Sequence, residues 1–158
     1  MNVFVFPGQG SQHLGMGADL YNSNRKAQQI FEDANEILGF KITDIMFGED
    51  QEALKQTNIT QPAIYIHSMV IALIADKFFK PNAVAGHSLG EFTALAAANY
   101  ISFEDGLRLV HKRAIAMQEA CEKNESSMAA IVGLDDNTVE DVCSQSKETL
   151  VAANYNCP

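Results

Sequence analysis

The chain has 158 residues, 47% of them apolar and 20% charged, the composition of one globular domain of ordinary size with enough apolar side chain for a core. Eleven Lys and Arg against twenty Asp and Glu leave a net charge of -9, which repels phosphate backbones and supplies no basic stripe for a nucleic acid. No run of about 18 apolar residues lacks a polar break, and the opening MNVFVFPGQG has no basic segment before its short apolar run; the sequence therefore predicts no membrane span and no signal peptide, but a cytoplasmic protein.

In chain order, Val3 to Phe6 is a short β-branched and aromatic run stopped by Pro7, Gly8 and Gly10, which predicts a buried strand entering a tight loop that continues through Ser11, Gly15 and Gly17. From Ser23 to Leu38, Ile30, Phe31, Ala34, Ile37 and Leu38 recur at helical spacing, with Ser23 as N-cap and Gly39 as stop. Thr60 and Pro62 predict the start of a helix that is apolar nearly all round and ends by Pro81. Ala83 to Gly86 reads as a brief strand and Leu89 to Ala98 as a helix stopped at Asn99. Ser102 with Asp105 resembles a capping box opening a helix to about Cys121. The polar segment Glu122 to Ser127 marks a boundary, after which a strand at Met128 to Val132, a helix at Asn137 to Ser146 and a strand at Leu150 to Asn154 make an unfinished β-α-β unit. Strands alternating with helices predict an α/β protein, with residues 1–126 in a larger part and 127–158 in a smaller one.

Cys121, Cys143 and Cys157 are odd in number, far apart and without CxxC spacing, which disfavours a disulfide framework and a metal site alike. The FPGQGSQ loop lacks both the GK[ST] of a phosphate loop and the dinucleotide GxGxxG, so no nucleotide site is expected.

The sharpest local signal is GHSLG at Gly86 to Gly90, between a predicted strand and a predicted helix. This is the nucleophile-elbow pattern, in which flanking glycines permit a turn that lifts the Ser88 hydroxyl clear of the backbone at a helix N-terminus. The Leu89 amide is then placed to donate to an oxyanion, and the glycine-rich turn around Gln9 exposes amides of the same use. His87 and Glu91 flank the serine, but side chains next to an elbow point away from it. His13, His67 and His111 read as structural or solvated, and Met16, Met69 and Met117 as core filler. Arg113 shares a helical stripe with Val110, Met117 and Cys121, which predicts a guanidinium facing the interior. Such a group requires an anion: either a structural Asp or Glu, or a substrate carboxylate held by a bidentate clamp. Arg108 and Lys112 lie off that stripe and read as solvated.

Four motifs in order, FVFPGQGSQ, TQPAI at Thr60 to Ile64, GHSLGEFTAL at Gly86 to Leu95 and RLVHKRAIAMQ at Arg108 to Gln118, resemble the successive signatures of malonyl-CoA:acyl-carrier-protein transacylases and related acyltransferase domains. MAAIVGLDD and VAANYNCP resemble the opening of that family's smaller subdomain. The resemblance implies an α/β-hydrolase-like larger subdomain with a parallel sheet and the start of a ferredoxin-like smaller one. It implies Ser88 as acyl-accepting nucleophile, the Gln9 and Leu89 backbone amides as oxyanion hole, and Arg113 as clamp for the malonyl carboxylate. The implied reaction is ping-pong transfer from malonyl-CoA to acyl carrier protein, with a coenzyme A thioester as substrate and no permanently bound cofactor. The family's catalytic histidine lies downstream of a motif with no counterpart in these residues, so the chain is expected to be an amino-terminal portion lacking its base. A serine esterase or thioesterase, and a catalytically silent segment that binds acyl carrier protein, are the alternatives.

Overall fold

Two parallel strands, β1 at Val3–Phe6 and β2 at Ala83–Gly86, pair in register from Val3 against Ala83 to Phe6 against Gly86. The computed structural model describes residues 1–123 and 127–156. Eight α-helices occur among them, α1 at Ala18–Ser23, α2 at Arg25–Leu38, α3 at Ile42–Phe47, α4 at Gln51–Lys55, α5 at Thr57–Ala75, α6 at Gly90–Ala97, α7 at Phe103–Lys123 and α8 at Asp136–Ser144, with a 3-10 helix at Asp76–Phe78 after α5. The fold is α/β, a small parallel sheet among many helices. The chain divides into two compact units, Met1–Asn124 and Glu125–Pro158.

In the first unit α5 is the central element, packed against α7, α6 and α2. Ile64, Tyr65, Ile66, Met69 and Val70 on it meet Phe31, Ile42, Met46, Leu89, Leu107 and Val110 in one core. Together with the turn that follows it, through Phe78, α5 is long and apolar enough to cross a membrane by length and composition, but 61% of its most apolar 18-residue window is buried inside the fold. A helix apolar nearly all round is one with protein on most sides, and α5 is covered except where Ile71 is exposed. Gly39 ends α2 in a left-handed conformation (φ 77°), where a side chain would be strained.

Several expectations are corrected. Asn24, not Ser23, caps α2: its side chain accepts from the amides of Lys26 and Ala27, while Ser23 closes α1. Helix α5 starts at Thr57 rather than near Thr60, so Pro62 lies inside it. The buried Thr60 hydroxyl donates to the Leu54 carbonyl and anchors this first stretch to α4, and packing outweighs the missing proline amide. Strand β1 is buried on one face only: Phe4 and Phe6 turn toward Ala72, Ala94 and Phe79, whereas Val3 and Val5 are 50% and 75% exposed. The runs Met128–Val132 and Leu150–Asn154 are not strands, because neither joins a ladder among the described residues and an extended segment is stable only when paired. Helix α7 continues through Lys123, into the predicted boundary, whose residues 124–126 fall outside the described set. Ser102 does open α7 as a capping residue, accepting from the Asp105 amide at 3.0 Å and donating to its carboxylate at 2.7 Å.

Candidate active site

The register of the sheet puts the ends of β1 and β2 side by side, so the loop after Phe6 and the turn after Gly86 meet at the same edge. Ligand sites of parallel sheets form at that carboxyl edge, where chain ends and helix N-termini converge. The His87 amide donates to the Phe6 carbonyl at 3.0 Å, extending the pairing by one residue. The backbone then reverses at Ser88, whose φ of 55° is left-handed, and α6 begins at Gly90. A serine in that region costs about 1–2 kcal/mol and persists only where its surroundings enforce it.

The enforcement comes from the two glycines. A Cβ on Gly86 would stand 2.0 Å from the Gly90 carbonyl carbon, and a Cβ on Gly90 would stand 2.3 Å from the Phe6 carbonyl oxygen. Strand, turn and helix therefore approach more closely than any side chain permits, and the turn leaves Ser88 exposed while Leu89 beside it is fully buried. Gly8 repeats the logic from the facing loop, where a Cβ would lie 2.6 Å from His87 Nδ1. That loop is braced by Ser11 Oγ donating to the Gly8 carbonyl at 3.0 Å and by the Gly10 amide donating to Gln12 Oε1 at 2.8 Å. Neither the Gln9 nor the Leu89 backbone amide has a hydrogen-bond acceptor among the described residues.

Arg113, from the middle of α7, reaches this edge. Its Nη2 donates to Ser88 Oγ at 2.9 Å and its Nη1 to Gln61 Oε1 at 2.6 Å. The predicted stripe is off by one position: α7 buries Gly106, Leu107, Val110 and Ala114, leaving Arg113 half-buried at the margin and Met117 and Cys121 exposed. The guanidinium is therefore bonded to two neutral oxygens. Among the described residues the ion pairs are Lys55 with Glu52 and Arg108 with Glu104, so Arg113 has no carboxylate partner there. A guanidinium carries five N–H donors and no acceptor, which leaves donors and a full charge for an incoming anion.

Sequence reasoning missed Gln61. It is 1% exposed, beside the buried Thr60 in the first half of α5, and a buried amide must find partners. The remaining histidines are placed elsewhere. His13 and His67 meet edge to face at 6.3 Å, and burial first, then the neighbouring His13, holds His67 below its ordinary value, with Asp19 opposing. His111 packs on Phe40 and is lowered by burial. Among the described residues no three His, Cys, Asp or Glu side chains gather to hold a metal, and Cys121 and Cys143 are free; Cys157 lies outside that set.

Known proteins match the chain over most of its length. The acyl transferase domain model matches residues 3–158. A malonyl CoA-acyl carrier protein transacylase of Staphylococcus aureus is 42% identical over 99% of this chain and 51% of its own length, and one of Bacillus subtilis is 40% identical with similar coverage. The chain thus spans about half the length of the curated relatives it matches. Among solved structures, the malonyl-CoA:ACP transacylase of Synechocystis superposes with a TM-score of 0.83 at 39% identity, over 92% of this chain and 48% of that one. A type II PKS acyl-carrier protein in complex with its malonyl-transacylase superposes at 0.79 and 36% identity, over 90% and 47%. With a family match running from Val3 to the last residue, and the elbow, glycine loop and arginine brought to one edge, the chain belongs to the acyl transferase domain family.

Proposed function

We propose that these residues are the nucleophile-bearing part of a cytoplasmic malonyl-CoA:acyl-carrier-protein transacylase of fatty-acid synthesis. Residues 1–126 would be its larger, α/β-hydrolase-like subdomain and 127–158 the first part of a smaller ferredoxin-like one. The observation that carries the reading is the 2.9 Å contact between Arg113 Nη2 and Ser88 Oγ, made by a guanidinium with no carboxylate partner among the described residues. A nucleophile beside an unneutralised cation suits an acyl group that ends in an anion, and malonyl has its carboxylate two bonds from the reacting carbonyl.

In this reading Ser88 Oγ attacks the malonyl thioester carbon and its proton passes to a base. The carbonyl oxygen, now negative, takes the backbone amides of Gln9 and Leu89. Collapse expels the coenzyme A sulfur, which recovers the proton and leaves a malonyl ester on Ser88. The phosphopantetheine thiol of acyl carrier protein then attacks that ester by the same route in reverse and frees Ser88. Throughout, the malonyl carboxylate is held by Arg113 in place of water. The resemblance to malonyl transacylases implies a histidine downstream of these residues as the base; the Arg113 guanidinium bonded to Ser88 Oγ accepts no proton and does not serve. No permanently bound cofactor is needed. The relatives named as malonyl transacylases, one of them in complex with an acyl-carrier protein, support the substrate and partner.

The test is intact mass and peptide mapping of the full-length protein after mixing with malonyl-CoA. A lasting malonyl adduct on Ser88, absent from Ser88→Ala, is the expected result. Rapid release of free malonate without transfer would point instead to a serine thioesterase, and an adduct retained by Ser88→Ala would reassign the nucleophile.

A further inference from the structure

Gln61 is the point where the cation and the glycine loop meet. Its Oε1 accepts from Arg113 Nη1 at 2.6 Å, and its Nε2 lies 3.3 Å from Met117 Sδ and 3.4 Å from Gln9 Oε1. The orientation of this amide is not free. The guanidinium only donates, so the carbonyl end must face Arg113 and the amino end must face Gln9 and Met117. The side chain is 1% exposed and rises from α5, the most buried helix of the unit, so its own position is set by packing rather than by solvent.

We infer that Gln61 is a positioning residue that determines the acyl preference of the site. It fixes the guanidinium so that Nη2 reaches Ser88, and it ties that guanidinium to the loop bearing the Gln9 amide. The inference rests on the reading of Arg113 as the carboxylate clamp. A neutral amide suits the task better than an acid would. A carboxylate at this place would hold Arg113 equally well in space while cancelling the charge that an incoming anion must find, whereas the amide oxygen directs the guanidinium and leaves its charge intact.

The test compares malonyl-CoA with acetyl-CoA as donors for transfer by the full-length protein and its Gln61→Glu, Gln61→Met and Arg113→Ala variants, with thermal midpoints alongside. Gln61→Glu keeps shape and introduces a charge. It is expected to lower the malonyl-to-acetyl ratio of kcat/KM about tenfold or more, the scale of a hydrogen bond to a charged group. Lowering the pH should restore part of the ratio as the new carboxyl protonates. Gln61→Met conserves volume and lacks the bonds, and should lower the ratio less; it decides the matter if the Glu variant does not fold. If both Gln61 variants keep the ratio while Arg113→Ala loses it, or if malonyl and acetyl rates fall together, Gln61 is structural and the inference fails alone. If Arg113→Ala also keeps the ratio, the clamp reading itself fails.

Discussion

Helices α5 and α8 show what a helix gains from its surroundings. Twelve of the nineteen residues of α5 are buried, and it begins with no side-chain cap and carries an internal proline. Helix α8 has the better local chemistry: Asp135 accepts from the Thr138 amide at 3.0 Å and its other oxygen from the Thr138 hydroxyl at 2.7 Å, bonds that hold its carboxyl below the usual range. Yet α8 buries nothing, and Val142 on it is 57% exposed. Capping and propensity start a short helix but leave it marginal, whereas burial of a central one tolerates poor ends. The free energy of this chain is therefore concentrated in residues 1–123, the part that carries Ser88, Arg113 and Gln61.

The contrast is broken or sharpened first by core truncation. Phe31 is fully buried against Tyr21 and Phe47, and Phe31→Ala should cost about 3–5 kcal/mol in denaturant unfolding of the 158-residue chain. Val142→Ala should stay within about 0.5 kcal/mol in the same chain. A comparable loss at both sites would show that α8 shares the core's cooperativity. A smaller effect isolates the elbow. Ser88→Gly and Ser88→Ala both delete the hydroxyl bonded to Arg113, but only glycine accepts a φ of 55° freely, so the Gly variant should be more stable than the Ala variant by about 1 kcal/mol. Equal midpoints would mean the turn is unstrained. The smallest effect concerns pH. His67 is kept neutral by burial in the fold but protonates near its ordinary value of 6.5 once unfolded. The unfolded chain then binds more protons as the pH drops below that value, so stability falls from about pH 6.5 down to the lowered folded value and levels off beneath it. His111 adds in the same direction, and His67→Gln should flatten the slope; an unchanged slope would place the titration elsewhere.

These differences also explain what was legible in the sequence. Strands β1 and β2 were readable to the residue because apolar runs ended at Pro7 and at the elbow glycines, and α6, Gly39 and the Ser102 cap announced themselves by local chemistry. The short helices α1, α3 and α4 were not, since five or six residues show too little of a 3.6-residue period to register, and they exist by packing on α2 and α5. The start of α5 was misplaced for a different reason, tertiary contact overriding a proline. At the site, Ser88 and the glycine loop were visible as motifs. The interior stripe of α7 was misjudged because a helical wheel gives spacing without an origin: with Leu107 and Ala114 inward, Arg113 falls at the rim, where it reaches Ser88. Gln61 went unassigned because its meaning lies in residues 52 positions away.

The central claim is that a cation held at the elbow selects the acyl group. It is tested most directly by the ratio of malonyl to acetyl ester formed on Ser88 in the full-length protein and in its Arg113→Ala variant, read by mass. The variant should lose the malonyl preference while Ser88 remains acylated by acetyl-CoA. Equal loss of both esters, or an unchanged preference, would contradict it.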